Sequence, residues 1–212
     1  MPKYTLESPA IQYLSQHDKR LAKVIRMLGP LEYQVAPNGY AFLVSQIIGQ
    51  MLSNQVADVM TQRLETVCQG PIQLEIINQL TDDEVRQIGI ARSKVGYIRN
   101  LSAAINDHTL DLDQLSQLDD QAVIQQLTQI KGIGTWSAKM YLIFALDRLN
   151  VLPHEDVAFL QGYAWAYKTT DTRAAAVQKK CRKWRPYSSL AARYFYHALD
   201  QGLTKEPFHL FK

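Results

Sequence analysis

The chain has 212 residues, of which 47% are hydrophobic and 20% charged, and its formal net charge at pH 7 is +3. This composition is typical of a folded globular protein with a sizeable core, and it excludes an intrinsically disordered chain. There is no apolar run of about 18 residues and no apolar signal core at the N-terminus, so we expect neither a membrane span nor secretion. The two cysteines, Cys68 and Cys181, are too few for a disulfide framework or a metal motif, which indicates a reducing, cytoplasmic location.

Helical periodicity dominates the chain. Helices are predicted, in chain order, over residues 21–28, 44–51, 53–70, 82 onward, 93–105, 120–129, 135–146, 157–167, 173–184 and 188–202. Three of the starts are marked by capping residues: Ser53, Ser93 and the capping box Thr81-Asp-Asp-Glu84. No alternation of apolar and polar residues is long enough to predict a strand, so the predicted fold class is all-α.

Residues 127–134 read Leu-Thr-Gln-Ile-Lys-Gly-Ile-Gly and separate two of the predicted helices. Gly132 and Gly134, with one apolar residue between them, predict a turn too tight for side chains. They also bare the backbone N–H groups that open the second helix, where a phosphate binds well. The segment resembles the helix-hairpin-helix of DNA-binding proteins. We therefore predict that Gly132, Gly134 and the cation of Lys131 contact a DNA phosphate.

An aspartate, Asp156, follows in the segment Val-Leu-Pro-His-Glu-Asp-Val of residues 151–157. Its place before a predicted helix makes it a candidate N-cap. A hairpin followed by such an aspartate resembles the helix-hairpin-helix DNA glycosylase superfamily, in which an aspartate beyond the hairpin performs the chemistry. The resemblance makes Asp156 the candidate catalytic residue, with helix capping as the alternative or as a second role.

The basic side chains are concentrated near the C-terminus. Between Asp171 and Asp200 there is no acidic residue. The same segment holds Arg173, Lys179, Lys180, Arg182, Lys183, Arg185 and Arg193. Such a run is either a solvated helix surface or a nucleic-acid-binding face. Because the hairpin points to DNA independently, we predict phosphate contacts for Lys179 and Lys180.

Four segments in order resemble the DNA-3-methyladenine glycosylase II family: residues 47–53, 88–94, 128–138 and 184–189. The resemblance implies a two-lobed helical fold with the helix-hairpin-helix at about residues 120–146. Residues 40–146 would form the central lobe, residues 1–39 and 147–212 would form the second, and Asp156 would lie in the cleft. The segment before Tyr40 is too short for the N-terminal β domain of some members, so a compact form is expected.

The resemblance implies a base excision repair enzyme that flips alkylated purines such as 3-methyladenine from double-stranded DNA and hydrolyses their N-glycosidic bond. Relatives that also cleave the strand carry a lysine where this sequence has Trp136, and the iron–sulfur loop of a related branch is absent. A monofunctional glycosylase without a required cofactor is therefore expected. The alternatives are a glycosylase for mispaired or oxidised bases, and a non-catalytic helix-hairpin-helix DNA-binding protein.

The resemblance also suggests the remaining site residues. Met51 matches the position of an apolar wedge that fills the gap left by a flipped base, although a methionine on a helix face is more often core. The candidates for an aromatic pocket around a cationic base are Trp136, Tyr141, Trp165 and Tyr196. A structural Na⁺ or K⁺ ion would be bound by the backbone carbonyls of Thr128, Ile130 and Ile133. The expected partner is double-stranded DNA, with no membrane association and a monomeric protein.

Overall fold

The computed structural model describes residues 1–211 and confirms the all-α fold class. Within these residues the α-helices are α1 Pro9–His17, α2 Lys19–Leu28, α3 Gly39–Gly49, α4 Asn54–Val67, α5 Leu74–Gln79, α6 Asp82–Arg86, α7 Arg92–Asn106, α8 Asp120–Thr128, α9 Thr135–Phe144, α10 Val157–Tyr167, α11 Ala174–Cys181 and α12 Ser188–Asp200. Short 3₁₀ turns span Gln114–Gln117, Arg182–Trp184 and Leu203–Lys205. Two short strands, β1 Lys3–Tyr4 and β2 Leu31–Glu32, pair antiparallel. No helix among residues 1–211 has both the length and the apolar character needed to cross a membrane.

The chain divides into two compact units. One unit joins residues 1–35 to residues 147–212 and contains α1, α2 and α10 to α12. The other comprises residues 36–146 and contains α3 to α9. The hairpin, defined here as residues 129–134, therefore belongs to the second unit, and Asp156 belongs to the first.

Two of the predicted helix starts are confirmed and one is wrong. Ser53 caps α4 by accepting the Val56 N–H at 3.4 Å. Thr81 and Glu84 form the predicted capping box of α6. Ser93 caps nothing, because α7 begins one residue earlier, and the extended Ala91 accepts the first helical hydrogen bond through its carbonyl.

Among the helix ends that differ from the prediction, two lie where the backbone leaves the α-helix before the apolar pattern ends. The helix predicted over residues 44–51 is α3, which ends at Gly49 and leaves Met51 outside in a left-handed conformation. The helix predicted over residues 173–184 breaks after Cys181 into a 3₁₀ turn. Apolar periodicity misses both breaks. Beyond Cys181 the buried Trp184 continues the pattern, and beyond Gly49 the exposed Met51 continues it in residue type alone.

Aromatic side chains form the core of the first unit. The fully buried ones include Phe159 on α10, Phe195 on α12, and Trp184 in the 3₁₀ turn between α11 and α12. Trp184 packs edge-on against Phe159 at 6.2 Å and lies 5.5 Å from Phe195 between ring centroids. Helices α10 and α12 approach closely at Gly162, where an added Cβ would lie 2.8 Å from the Phe195 side chain. The packing of these aromatic rings helps to fix α10, and thus the residue that precedes it.

A buried carboxylate, Asp18, lies at the edge of this core. It caps α2 by accepting the backbone N–H groups of the first turn, and it also accepts from the hydroxyl of Tyr167 and the indole of Trp184. The Lys183 ammonium lies 3.0 Å from the same carboxylate. Burial alone raises the pKa of Asp18, but the hydrogen bonds from Tyr167, Trp184 and Lys183 outweigh it and hold the pKa below 3.8.

We predict that Asp18→Ala lowers the free energy of unfolding by about 3 kcal/mol at neutral pH, because the Tyr167 hydroxyl, the Trp184 indole and the α2 amides all lose their acceptor. Since the folded-state pKa is depressed, the contribution of Asp18 is present above the unfolded-state pKa near 3.8 and is lost as the pH falls through the folded-state value. Urea unfolding at neutral pH and below pH 3.8 measures both effects. The exposed Asp58→Asn serves as the control, and an Asp18→Ala protein as stable as this control would contradict the prediction.

Candidate active site

The hairpin between α8 and α9 requires glycine at one of its two glycine positions. Gly132 has a φ of 110°, and a Cβ built there would lie 2.4 Å from the Tyr97 side chain. Gly134 has a φ of −96°, and no atom lies within 4 Å of a Cβ built there. The tight turn predicted from both glycines is therefore correct for Gly132 and wrong for Gly134, where the missing side chain leaves open space at the start of α9.

Polar side chains from the rest of the second unit hold the hairpin. The side-chain amide of Gln50 donates to the Gly132 carbonyl at 2.8 Å, and that of Asn100 donates to the Lys131 carbonyl at 3.1 Å. Gly134 is the N-cap of α9 and offers no capping side chain to the first-turn amides. These amides carry the positive end of the helix dipole, which suits an anion such as a phosphate.

Asp156 is the N-cap of α10, so the capping role predicted from the sequence is present. Its Oδ1 accepts the Phe159 N–H at 2.7 Å, and the side chain is largely buried. Tyr196 lies beside this carboxylate. Burial raises the pKa of the Tyr196 hydroxyl, and Asp156 raises it further through its charge and as a hydrogen-bond acceptor. The carboxylate is thus held in a defined position, as a charge that acts on a substrate has to be.

The loop that leads to Asp156 is fastened to the start of α12. The Ser189 hydroxyl accepts the Val151 N–H at 2.9 Å, and the Ser189 N–H donates to the Leu149 carbonyl at 2.9 Å. The Ser188 hydroxyl donates to the side-chain carbonyl of Asn150, also at 2.9 Å. These two serines belong to residues 184–189, one of the four segments that resembled the glycosylase family, and their contacts give that segment a role in positioning the loop.

Two polar residues precede Asp156 and contact each other. The His154 Nδ1 lies 3.0 Å from the Glu155 carboxylate, and the Gln178 amide lies 2.9 Å from His154 Nε2. Gln178 belongs to α11, so these contacts join the loop to the helix that carries Lys179 and Lys180. His154 and Glu155 therefore act in the arrangement of the loop.

Not all of the basic C-terminal segment forms a surface. Arg193 is only 6% exposed, and its guanidinium lies 3.6 Å from the centroid of the Tyr33 ring and 3.5 Å from an oxygen of Asp147. Lys183 pairs with the buried Asp18. Both cations thus help to hold the first unit together, and the count of basic residues in the sequence overstates the charge that is offered to a ligand.

Lys179 and Lys180 lie in the last turn of α11. They line a surface hollow of about 680 Å³ together with Ala176, Arg182 and Lys183. Lys183 is paired with Asp18, and the three other basic residues of the lining favour an anion in the hollow. The structure therefore gathers the two predicted phosphate contacts on one basic face of the first unit.

The four pocket candidates differ in their surroundings. Tyr141 is 2% exposed and packs against Phe42, and burial, together with the charge of Asp113, raises its pKa to about 12. Trp165 packs edge-on against Phe208 and donates its indole N–H to the Glu206 carbonyl. These placements give Tyr141 and Trp165 packing roles, as aromatic residues at helical spacing usually have.

Trp136 and Tyr196 are the other two pocket candidates. Trp136 is half-buried in the first turn of α9, directly after the hairpin, and Tyr196 adjoins Asp156. Met51 is fully exposed, with a relative accessible area of 101%, in the turn after α3. Among residues 1–211, no group of three or more His, Cys, Asp and Glu side chains is placed to hold a metal ion.

The sequence analysis missed the contacts of Gln50, Lys94 and Asn100. Gln50 and Lys94 lie in segments that resemble the glycosylase family, but neither residue was assigned a role from the sequence. Both side chains donate to backbone carbonyls far away in sequence, and Asn100 does so as well. Sequence periodicity gives no signal for such contacts, because they depend on how separate helices pack.

The fold, the hairpin and the capped aspartate define a helix-hairpin-helix protein. The chain belongs to the HhH-GPD superfamily of base excision DNA repair proteins, whose sequence profile matches residues 44–186. A solved DNA-3-methyladenine glycosidase from Bacillus halodurans is 30% identical, with a TM-score of 0.86 over 99% of this chain and 97% of that one. The membership and this relative confirm the resemblance drawn from the sequence.

Two further matches, one in sequence and one in structure, come from Schizosaccharomyces pombe. DNA-3-methyladenine glycosylase 1 is 27% identical over 159 residues, which cover 73% of this chain and 69% of that protein. A solved 3-methyladenine DNA glycosylase in complex with abasic DNA has a TM-score of 0.82 at 24% identity, over 90% of this chain and 96% of that one. At this identity the second likeness shows the shared fold.

We predict that Gly132→Ala destabilises the protein by about 2–4 kcal/mol, because the new Cβ meets the Tyr97 side chain and the residue needs a positive φ. Gly134→Ala is the matched control and should change the free energy of unfolding by about 0.5 kcal/mol or less, since its Cβ meets open space. Chemical unfolding of the two variants measures the difference. Equal stabilities would show that the close approach to Tyr97 is not what requires glycine at position 132.

Proposed function

We propose that this protein is a monofunctional DNA glycosylase that hydrolyses the N-glycosidic bond of alkylated purines, such as 3-methyladenine, in double-stranded DNA. The observation that carries the proposal is the buried Asp156 carboxylate, which is fixed at the head of α10 by the Phe159 N–H on a fastened loop. The names of the relatives, which are DNA-3-methyladenine glycosylases and a glycosidase, support the substrate class.

Asp156 would act on the charge that develops in the sugar. As the bond between C1′ and the base breaks, positive charge builds on the deoxyribose, and a fixed carboxylate stabilises it. At ~4 Å and an effective dielectric of ~20, the attraction is about 4 kcal/mol. This is roughly a thousandfold in rate. Water then adds to C1′, and its proton passes to the Asp156 carboxylate.

We predict that Asp156→Asn loses about a thousandfold in the rate of base release, because an amide does not neutralise the sugar cation. Asparagine is as good an N-cap as aspartate, so α10 and the stability of the protein should be kept. Single-turnover release from a duplex with 3-methyladenine measures the loss, with the exposed Asp200→Asn as the matched control. Release within a few-fold of the wild-type rate would reject Asp156 as the catalytic residue.

The absence of lyase activity follows from the residue at the start of α9. Trp136 stands where strand-cleaving relatives have the lysine that forms a Schiff base with C1′. Lys139 is three residues further along the same helix. Its side chain therefore leaves the helix nearly one turn beyond the position that the lysine has in those relatives. Water is therefore the nucleophile in the proposed reaction, and the abasic product keeps an intact strand.

We predict that borohydride traps no covalent complex of the protein with DNA during base release, because a tryptophan indole forms no imine. Gel electrophoresis of the borohydride-treated reaction checks this. Lys139→Gln is the second variant to test, since a trapped complex that disappears in this variant would identify Lys139 as a Schiff-base lysine and the protein as bifunctional.

Selectivity for alkylated purines follows from their charge. A cationic base gains about 0.5–2 kcal/mol against an aromatic face, and a neutral base gains less. Trp136, half-buried at the start of α9, is the aromatic residue that we propose for this contact. A cationic base also leaves as a neutral molecule, so it departs without a general acid.

We predict faster release of 3-methyladenine than of uracil or 8-oxoguanine under single-turnover conditions. Trp136→Ala should reduce release of the cationic base more than it reduces stability, because a half-buried side chain contributes less to the core. Duplexes that each contain one defined lesion separate the candidates. Faster release of uracil or 8-oxoguanine would favour a glycosylase for mispaired or oxidised bases, and no release from any duplex would favour a non-catalytic DNA-binding protein.

The proposed DNA contacts complete the mechanism. The amides at Gly132 and Gly134, with the Lys131 cation, would bind one phosphate, and Lys179 and Lys180 would bind others. The exposed Met51 would fill the gap left by the flipped base.

A Na⁺ or K⁺ ion could be bound by the backbone carbonyls of Thr128, Ile130 and Ile133, because carbonyl oxygens are suitable ligands for such ions. The Ile130 carbonyl accepts the Ile133 N–H at 3.0 Å and keeps a second lone pair. Bound there, the ion would add positive charge beside the phosphate.

A further inference from the structure

Met51 lies in a turn that disfavours its residue type. The Leu52 N–H donates to the Gly49 carbonyl at 3.0 Å, Gln50 has φ −53° and ψ 127°, and Met51 has φ 59°. These values describe a type II turn with Met51 at the third position, where glycine or asparagine is usual. A residue with a Cβ persists in such a conformation only where its surroundings hold it.

Lys94 on α7 supplies one such constraint. Its ammonium donates to the Ile48 carbonyl and to the Gln50 carbonyl, both at 2.7 Å. A type II turn differs from a type I turn by a flip of the central peptide, which here carries the Gln50 carbonyl. A cation on that oxygen therefore holds the peptide in the orientation that gives Met51 its positive φ. The position at the C-terminus of α3 also suits a cation, because the helix dipole is negative there.

The side chain of Gln50 supplies the second constraint. Its amide donates to the Gly132 carbonyl at 2.8 Å, so the turn is attached to the hairpin. The attachment is made at the residue whose backbone lies against Tyr97 without room for a Cβ. The turn that presents Met51 and the hairpin that would bind phosphate are consequently joined by a direct hydrogen bond within one unit.

We propose that Lys94 and Gln50 are positioning residues that hold Met51 in its left-handed turn and fix its place relative to the hairpin. The inference rests on the proposed function, in which Met51 enters the DNA. Met51 is then in its inserting conformation before DNA arrives, and binding energy is not used to form the turn. Lys94 and Gln50 act through Met51 and need no contact with DNA.

The test measures wedge insertion without base release. The probe is a duplex with 2-aminopurine next to a tetrahydrofuran abasic analogue, because the fluorescence of 2-aminopurine reports its stacking. Gln50→Leu keeps the size and charge of the side chain but removes the donor, and Lys94→Met removes the ammonium. Exposed Gln125 on α8 provides the matched control, Gln125→Leu. Each variant is also measured with Met51→Ala, and thermal unfolding gives the folded fraction at the assay temperature.

We expect the fluorescence change at saturating protein to fall about tenfold in Lys94→Met, because a charged hydrogen-bond donor to the turn is lost. It should also fall in Gln50→Leu, which loses the hydrogen bond to the hairpin, but not in Gln125→Leu. In the Met51→Ala background the same changes should have no further effect, because the side chain that Lys94 and Gln50 position has been removed. Effects that add to Met51→Ala, or an unchanged signal in both variants, would overturn the proposal while Met51→Ala alone still shows insertion. No fluorescence change with the wild-type protein would overturn both the positioning roles and the insertion of Met51, whereas the proposed base release is tested separately by Asp156→Asn.

Discussion

A buried carboxylate must be surrounded by hydrogen-bond donors, and in this protein helix N-termini supply them. Asp156 accepts the Phe159 N–H at the head of α10, and Asp18 accepts the first amides of α2 in the same way. An unpaired buried charge would cost several kcal/mol, so the position of each carboxylate follows from the packing of its helix. The aromatic core around Trp184 packs against α10, and the catalytic candidate is thereby placed at the head of that helix.

The two aspartates share a capping role but differ in their other partners. Tyr167, Trp184 and Lys183 surround Asp18, which gives it a structural role. Asp156 lies on a loop that serine hydroxyls fasten to α12. Capping and catalysis are therefore compatible in Asp156, because a carboxylate oxygen that accepts a backbone N–H keeps its negative charge.

In the second unit the comparable constraint acts on carbonyl groups. A helix leaves its last carbonyls without partners, and a tight hairpin leaves others. Lys94, Gln50 and Asn100 donate to such carbonyls on α3, on the turn after it and on the hairpin. Satisfying these groups also fixes the turn that presents Met51 relative to the hairpin, so one set of hydrogen bonds serves both folding and the proposed insertion into DNA.

The sequence by itself determined the all-α class, the hairpin, the cap at Asp156 and the family, because these depend on local signals: apolar periodicity, the spacing of glycines and the residue type before a helix. It gave a wrong cap at Ser93 and a wrong reason for Gly134, because an N-cap and a steric limit depend on backbone conformation and on neighbours from other helices. Only the tertiary structure decided that Tyr141 is buried core and that Arg193 packs inside the first unit. It alone showed that Lys94 holds the turn of Met51, since that contact joins residues that are 44 to 46 positions apart.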